Sequence, residues 1–265
     1  MPADQSQTPT PGLSFGAMAR AYERARPSYP KETVDWLLPM GARRVLDLGA
    51  GTGKLTRALL SRGLQVVAVE PSVGMREVLV EAAPGATVIA GSAEDIPLGD
   101  ASVDAVLVAQ AWHWVHQSRA IPEVARVLRP GGLLGLVWNT RDESEPWVAA
   151  LSIILAQHGA TEDFLLEPRL GPPFGPLARH YLRWDDPMTI SGIVDLFASR
   201  SYLAILTPAD RAVALDQIRV LLETHPDVAG RDEISLPYVT QAFRAERTRN
   251  RQVGGGTSST PARPW

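Results

Sequence analysis

From Arg43 to Asn139, short runs of β-branched and leucine residues alternate with longer stretches of helical period, the pattern of successive β-α-β units around a parallel sheet. The runs are V-L-D-L, V-V-A-V, A-T-V-I-A, D-A-V-L-V-A and G-L-L-G-L-V-W. Each is nearly continuous in apolar residues, as a strand buried on both faces must be. Apolar spacing predicts helices over about Lys54 to Arg62, Val73 to Ala82, His116 to Leu128 and Glu145 to His158, each following a strand. Pro130-Gly131-Gly132 stops the helix that crosses from the fourth strand and starts the fifth strand. Farther on, Thr189 to Ala198 and Pro208 to Thr224 have helical period, and Arg179 to Trp184 and Ile234 to Gln241 are candidates for two last strands that close the sheet. No repeat of fixed period is visible, which argues against solenoids and propellers.

The ends of the chain read differently. Residues 1–12 and 251–265 are rich in Pro, Gly, Ser and Thr and too poor in apolar side chains to offset the entropy of ordering them, so disordered tails are expected there. The 265 residues between and including these tails are 45% hydrophobic, which suits one well-packed domain. A formal net charge of -3, with acids and bases scattered, supplies no basic stripe for phosphates and argues against nucleic-acid partners. There is no cysteine, which excludes disulfides, thiolate metal sites and cysteine nucleophiles. The first 20 residues lack a charged stretch followed by an apolar one, and no run of 18 apolar residues follows. A soluble cytoplasmic protein without a membrane partner is the expectation.

The chemistry concentrates after the first strand. In Asp47-Leu48-Gly49-Ala50-Gly51-Thr52-Gly53, three glycines at alternate positions let the backbone turn tightly and approach a ligand without Cβ clashes. A dinucleotide fingerprint needs its third glycine at position 54, where Lys54 stands, and a phosphate loop needs Gly-Lys followed by Ser or Thr, where Leu55 stands. Asp47 places an acid where an ammonium group would be welcome. About 20 residues on, Glu70 ends the second strand, a position from which a carboxylate can accept hydrogen bonds from both ribose hydroxyls. A third turn, Gly91-Ser92-Ala93-Glu94-Asp95-Ile96-Pro97, follows the third strand, and its backbone and acids could read the edge of an adenine.

Taken together, these residues resemble the class I S-adenosylmethionine-dependent methyltransferases, over about Phe15 to Asn139 and more loosely beyond. Four ordered segments carry the likeness: D-L-G-A-G-T-G, V-A-V-E-P-S-x-x-M, G-S-A-E-D-I-P, and V-L-R-P-G-G before the fifth strand. The resemblance implies an α/β, Rossmann-like fold, a mostly parallel seven-stranded sheet with helices on both faces and a C-terminal helical insertion. It implies a methyltransferase domain over 13–250, with a lid at 13–38, a cofactor-binding core at 39–140 and a substrate cover with the last strands at 141–250. S-adenosyl-L-methionine would be the cofactor, with Gly49, Ala50, Gly51 and Gly53 at its methionine moiety, Glu70 at the ribose, and Ala93 with Glu94 at the adenine. Relatives often carry Asp where this chain has Ser92, which makes Glu94 the better candidate for the adenine amino group. The stretch from Phe15-Gly16 to Tyr29-Pro30 looks like the family segment that folds over the cofactor. Tyr22 and Arg26 lie four apart, on one face of a short helix, either as cofactor contacts or as part of a plain capping helix.

The acceptor side is expected around Gln110-Ala111-Trp112-His113-Trp114, which follows the fourth strand at the carboxyl edge where ligands sit in open α/β sheets. Trp112 and Trp114 either stack on a substrate or plug the end of the sheet, and Gln110 can meet the methionine ammonium through its carbonyl. His113 is a candidate base or a packed bystander. No third ligand accompanies His113 and His116, so no metal is expected. Trp138, Asn139 and Arg141 end the fifth strand on the same edge, and Arg200 and Tyr202 follow the Thr189 helix; arginine is shaped to grip a carboxylate.

A sulfonium methyl is already electrophilic, so the protein's task is binding and in-line alignment. A carboxylate acceptor would need no base, with Arg141 or Arg200 as readers, whereas a phenol, amine or carbon acid would draw on His113. The R-P-S-Y-P and A-W-H-W-V segments look most like the small-molecule branch that includes trans-aconitate methyltransferases, and the Asn-Pro-Pro-Tyr motif of amino-directed nucleic-acid methyltransferases is absent. The expected function is methyl transfer to a small-molecule acceptor, a carboxylic acid or secondary metabolite, by a monomer or homodimer. A cofactor-binding protein without transfer activity and a nucleotide-dependent oxidoreductase are the alternatives.

Overall fold

The structure, a computed structural model, describes residues 19–20, 23, 26–160 and 167–248. Tyr22, Phe15-Gly16 and the two polar tails lie outside the described residues. Seven strands form one sheet: β1 (Arg44–Leu48), β2 (Gln65–Val69), β3 (Thr87–Ile89), β4 (Val103–Ala109), β5 (Leu128–Arg141), β6 (Ala178–Thr189) and β7 (Glu233–Glu246). Their spatial order is β3-β2-β1-β4-β5-β7-β6. All pairs from β3 to β5 are parallel, and β7 runs antiparallel between β5 and β6. The parallel strands therefore end at one edge, where the strand order reverses between β1 and β4 and a crevice opens.

Alternation along the strands sorts the core into two faces. Leu46 and Leu48 of β1, with Leu134, Leu136 and Trp138 of β5, pack against α4 (Gln117–Val127). Val45 of β1 and Val137 of β5 face the other way, onto α1 (Lys31–Leu37) and α2 (Lys54–Leu60). Helix α3 (Val73–Ala82) starts at Ser72, whose hydroxyl accepts from the Met75 N–H, an N-cap that satisfies one of the helix's orphan donors.

A second core lies beyond the carboxyl edge. There α5 (Pro146–Gln157), α6 (Ile190–Ala198), α7 (Ser201–Ala204) and α8 (Pro208–Thr224) close over β7, with Leu151, Phe197 and Ile218 against Ile234, Leu236 and Tyr238. Thr189 and Thr207 cap α6 and α8 through their hydroxyls, and Pro208 occupies the first turn of α8, where its missing N–H costs nothing.

The structure extends two expectations. The last strands are longer than the runs Arg179 to Trp184 and Ile234 to Gln241 predicted, because every residue of β7 from Glu233 to Glu246 finds a partner in β5 or β6. β6 is an edge strand whose residues are all half-buried or exposed, so its polar sequence gives little strand signal. β5 begins at Leu128, ahead of Pro130-Gly131-Gly132, and its register against β4 slips between the Val103 and Ala105 pairings to absorb those residues. Among the described residues no helix is long and apolar enough to cross a membrane.

Candidate functional site

The turn after β1 is held from below and open above. Gly49, Gly51 and Gly53 all have positive φ, at 71°, 57° and 93°. At Gly53 a Cβ would lie 2.4 Å from Leu79 Cδ1 of α3 and the backbone is left-handed, so a larger residue would be strained and would have to displace the Leu79 side chain. At Gly51 a Cβ would meet nothing within 4 Å; that side of the turn faces open space. The Gly49 and Ala50 N–H groups donate to the Val69 carbonyl at 2.8 and 3.1 Å, which ties the turn to the end of β2.

Glu70 completes that tie. It is 7% exposed, and its two oxygens accept from the Gly51 N–H and the Ser72 N–H, both at 2.9 Å. The carboxylate thus clamps the first and second turns, and each oxygen keeps a lone pair for a further donor. Asp47 lies beneath, fully buried on the α2 face, where Oδ2 accepts from the Thr56 hydroxyl at 2.6 Å while Oδ1 has no protein partner. Burial pushes its pKa up to about 7, with the nearby Glu70 charge adding to the rise and the Thr56 hydrogen bond opposing it.

The third and fourth turns are joined to each other. Ala93 packs into the core, and Glu94 accepts from the His116 N–H at 2.8 Å. Burial works to raise the Glu94 carboxyl, but the hydrogen bonds from His116 and Ser92 outweigh it and the pKa falls. Gln110 stands in the left-handed region at φ 57° and donates from Nε2 to the Asn139 carbonyl at 3.1 Å, leaving its Oε1 as an acceptor.

A cleft open to solvent lies over the glycine turn. It is lined by Arg26, Pro27 and Tyr29 of the N-terminal segment, by Gly49, Gly51 and Lys54 of the first turn and the start of α2, and by Gln110, Asn139 and Arg200. Glu23 anchors the N-terminal segment to the start of α2, accepting from the Thr52 hydroxyl and from Arg57 at 2.5 Å, with Lys54 at 3.8 Å. Burial lowers the Lys54 pKa, which Glu23 opposes. Among the described residues no group of three His, Asp or Glu side chains is placed to hold a metal ion.

Of the residues expected at the cofactor, the cleft lining gathers Gly49, Ala50, Gly51, Gln110 and Arg26. The expected acceptor residues divide. Arg200 lines the cleft; Trp112, His113, Trp114, Trp138, Arg141 and Tyr202 do not. Trp112, 2% exposed, and Trp138 are in the α4-side core, the plug rather than the stacking surface. Trp114 is 75% exposed. His113 Nδ1 accepts from Trp138 Nε1 at 3.4 Å, its ring lies 4.9 Å from that of Trp114, and burial lowers its pKa. The Nδ1 lone pair is thus turned toward the Trp138 ring N–H. Arg141 donates to the Ser152 hydroxyl at 3.0 Å and lies 5.6 Å from the Phe197 ring. Tyr202 packs on the second core.

Three residues at or near the cleft were not singled out by the sequence, Lys54, Glu23 and Tyr238, and Asn139 was placed at the sheet edge without a role. Asn139 shares the parity of Val137 along β5, which points it away from the Trp138 core. It accepts from the Thr240 hydroxyl at 2.7 Å and donates to the Ser28 carbonyl at 3.0 Å, so one buried amide joins β5, β7 and the N-terminal segment.

Comparison with known proteins agrees with this fold. A methyltransferase-domain family matches residues 46–136. An uncharacterised methyltransferase of Mycobacterium tuberculosis is 57% identical over 235 residues, 88% of this chain and 95% of that protein. A malonyl-[acyl-carrier protein] O-methyltransferase of Methylococcus capsulatus is 37% identical over 145 residues, 50% of this chain and 52% of that protein. Among solved structures, a protein from Anaeromyxobacter dehalogenans provisionally described as a type II methyltransferase superposes with a TM-score of 0.61 at 25% identity, covering 84% of this chain and 97% of that one.

Proposed function

The chain belongs to the class I S-adenosylmethionine-dependent methyltransferases, and from that premise we propose that it transfers the methyl group to a small organic acid, on a carboxylate oxygen. The residues present fit the cofactor. Gly51 leaves its side of the turn open, Glu70 has lone pairs to spare for ribose hydroxyls, and Asp47 Oδ1 is a buried acceptor with no protein partner. In this reading Glu70 holds the ribose, Ala93 and Glu94 flank the adenine, Arg26 meets the methionine carboxylate, and Gln110 offers Oε1 to the ammonium.

When bound, the cofactor supplies a methyl group on a positively charged sulfur, so the protein needs to align a nucleophile and keep water out. The observation that carries the acid assignment is Arg200. It lines the cleft together with the glycine turn, and its Nε is buried without a hydrogen-bond partner. A cation held there favours an anionic acceptor, and a carboxylate is already a nucleophile that needs no base. The placement of His113 outside the cleft lining accords with a reaction that does without one. The Methylococcus capsulatus relative supports the same class, since a malonyl group ends in a carboxylate.

The test is transfer of isotope-labelled methyl from S-adenosylmethionine to a panel of small carboxylic acids, with mild alkali used to release the label as methanol. The expected product is an alkali-labile methyl ester. Label found only in alkali-stable products would contradict the assignment to a carboxylate oxygen.

A further inference from the structure

Beside the cleft, Tyr238 in the second core and Arg200 in the cleft lining each carry a buried polar atom with no protein partner. Tyr238 of β7 is 1% exposed, and its hydroxyl is buried without a hydrogen-bond partner. Its ring stacks on Trp184 with centroids 5.1 Å apart and planes 20° from parallel. Trp184 is fixed in turn, because its Nε1 donates to the Thr240 hydroxyl at 2.7 Å and that hydroxyl donates to the cleft-lining Asn139. The Tyr238 ring is thus locked at one orientation while its hydroxyl is left unused. Arg200 shows the same condition: its Nε is buried without a partner, although its guanidinium is steadied 6.0 Å from the Phe197 ring.

These two groups belong to one place. Strand register sets Arg141, Tyr238 and Trp184 side by side across β5, β7 and β6, so all three side chains leave the same face of the sheet. The charges of Arg200, Asp186, Arg141 and Arg26 all act on the Tyr238 hydroxyl, and Arg200 and Arg26 line the cleft. Burial raises the Tyr238 pKa, so at neutral pH the phenol is a donor. A buried donor without an acceptor is costly, and native structures satisfy nearly all of them. An acceptor atom that arrives with a ligand would satisfy both donors.

We propose that Tyr238 and Arg200 read the acceptor's carboxylate, the phenol O–H and the guanidinium N–H each donating to it. The proposal rests on the assignment of a small acid as acceptor and makes these two residues the determinants of that specificity. It predicts that the cleft accepts an acid and refuses the amide of the same shape, because an amide nitrogen offers the two donors a third donor and no charge.

The experiment uses the full chain saturated with S-adenosylhomocysteine, with calorimetric titration of acetate, succinate and benzoate and of the three matching amides. The wild-type complex is expected to bind at least one acid ten times or more tightly than its amide. Tyr238→Phe should weaken that acid about tenfold and Arg200→Gln about thirtyfold, the usual cost of one hydrogen bond and one charged contact to a carboxylate. Both variants should bind S-adenosylhomocysteine within about twofold of wild type. Tyr238→Phe should also melt no lower than wild type, since the hydroxyl it removes has no partner in the protein; a purely structural role predicts a lower melting temperature and unchanged acid binding. Acid affinity unchanged in both variants would overturn the proposal, as would a wild-type complex that binds acids and amides alike. Failure of the wild type to bind S-adenosylhomocysteine would strike instead at the cofactor site on which the acceptor assignment stands.

Discussion

The glycine-turn side of the cleft and the side where Arg200 meets the second core treat their polar groups differently. On the first, Glu70 uses both oxygens on backbone N–H groups, Gly49 and Ala50 bond to Val69, and Glu94 binds the His116 N–H. On the second, Tyr238 and Arg200 hold a hydroxyl and an N–H that meet no protein acceptor. One side is a set of turns bonded to one another before any ligand arrives, as a cofactor cradle should be. The other keeps donors in reserve, which suits a side whose ligand must bring the complementary charge. Asp47 is the exception on the first side, with one oxygen paired and one not.

If the first side is rigid by construction, forcing it should be expensive. Gly53→Ala combines a left-handed φ of 93° with a Cβ 2.4 Å from Leu79 Cδ1, and a loss of about 3 kcal/mol in unfolding free energy is expected by denaturant titration. A loss below about 0.5 kcal/mol would show that the turn yields easily.

The Asp47 exception makes a pH-dependent prediction. Its folded pKa, about 7, lies above its ordinary 3.8, so between about pH 4 and 7 the folded chain holds a proton that the unfolded chain has lost, and stability falls as pH rises through that window. Asp47→Asn keeps an acceptor for Thr56 and does not titrate. At pH 8 it should be more stable than wild type by about 2 kcal/mol, the cost of an ionised oxygen buried without a donor. That advantage should shrink toward pH 4. A difference that does not change with pH would mean that Asp47 is ionised throughout.

The smallest effect is expected outside the cleft lining. Trp114 is 75% exposed and does not line the cleft, so Trp114→Ala should change stability by no more than about 0.5 kcal/mol and leave the methyl-transfer rate near wild type. A large loss of transfer would put an aromatic acceptor contact back at this loop.

The same contrast explains what could be read from the sequence. The glycine turn, Glu70 and the five-strand alternation were legible because each is a local matter: a strand, a turn and a helix start within about two dozen residues, and burial on both strand faces leaves an apolar run. The side around Arg200, Asn139 and Tyr238 is assembled from segments far apart in the chain. Asn139 bonds to Ser28 and Thr240, 111 and 101 residues away, and Tyr238 meets Trp184 only once β7 has paired with β6. No spacing rule in one sequence specifies such pairings. Trp138 was partly legible, since it shares the parity of Leu134 and Leu136 along β5 and so belongs to their core. Trp112 sits in a short 3₁₀ turn, where period-2 alternation gives no guidance.

The separation of the two sides is tested most directly by crossing one variant from each against both ligands. In calorimetry, Glu70→Ala should weaken S-adenosylhomocysteine by on the order of 2 kcal/mol, roughly thirtyfold, and leave acid affinity of the saturated complex unchanged. Arg200→Gln should do the reverse. If both variants weaken the same ligand, the cleft is one undivided site and the division into a cofactor side and an acceptor side is wrong.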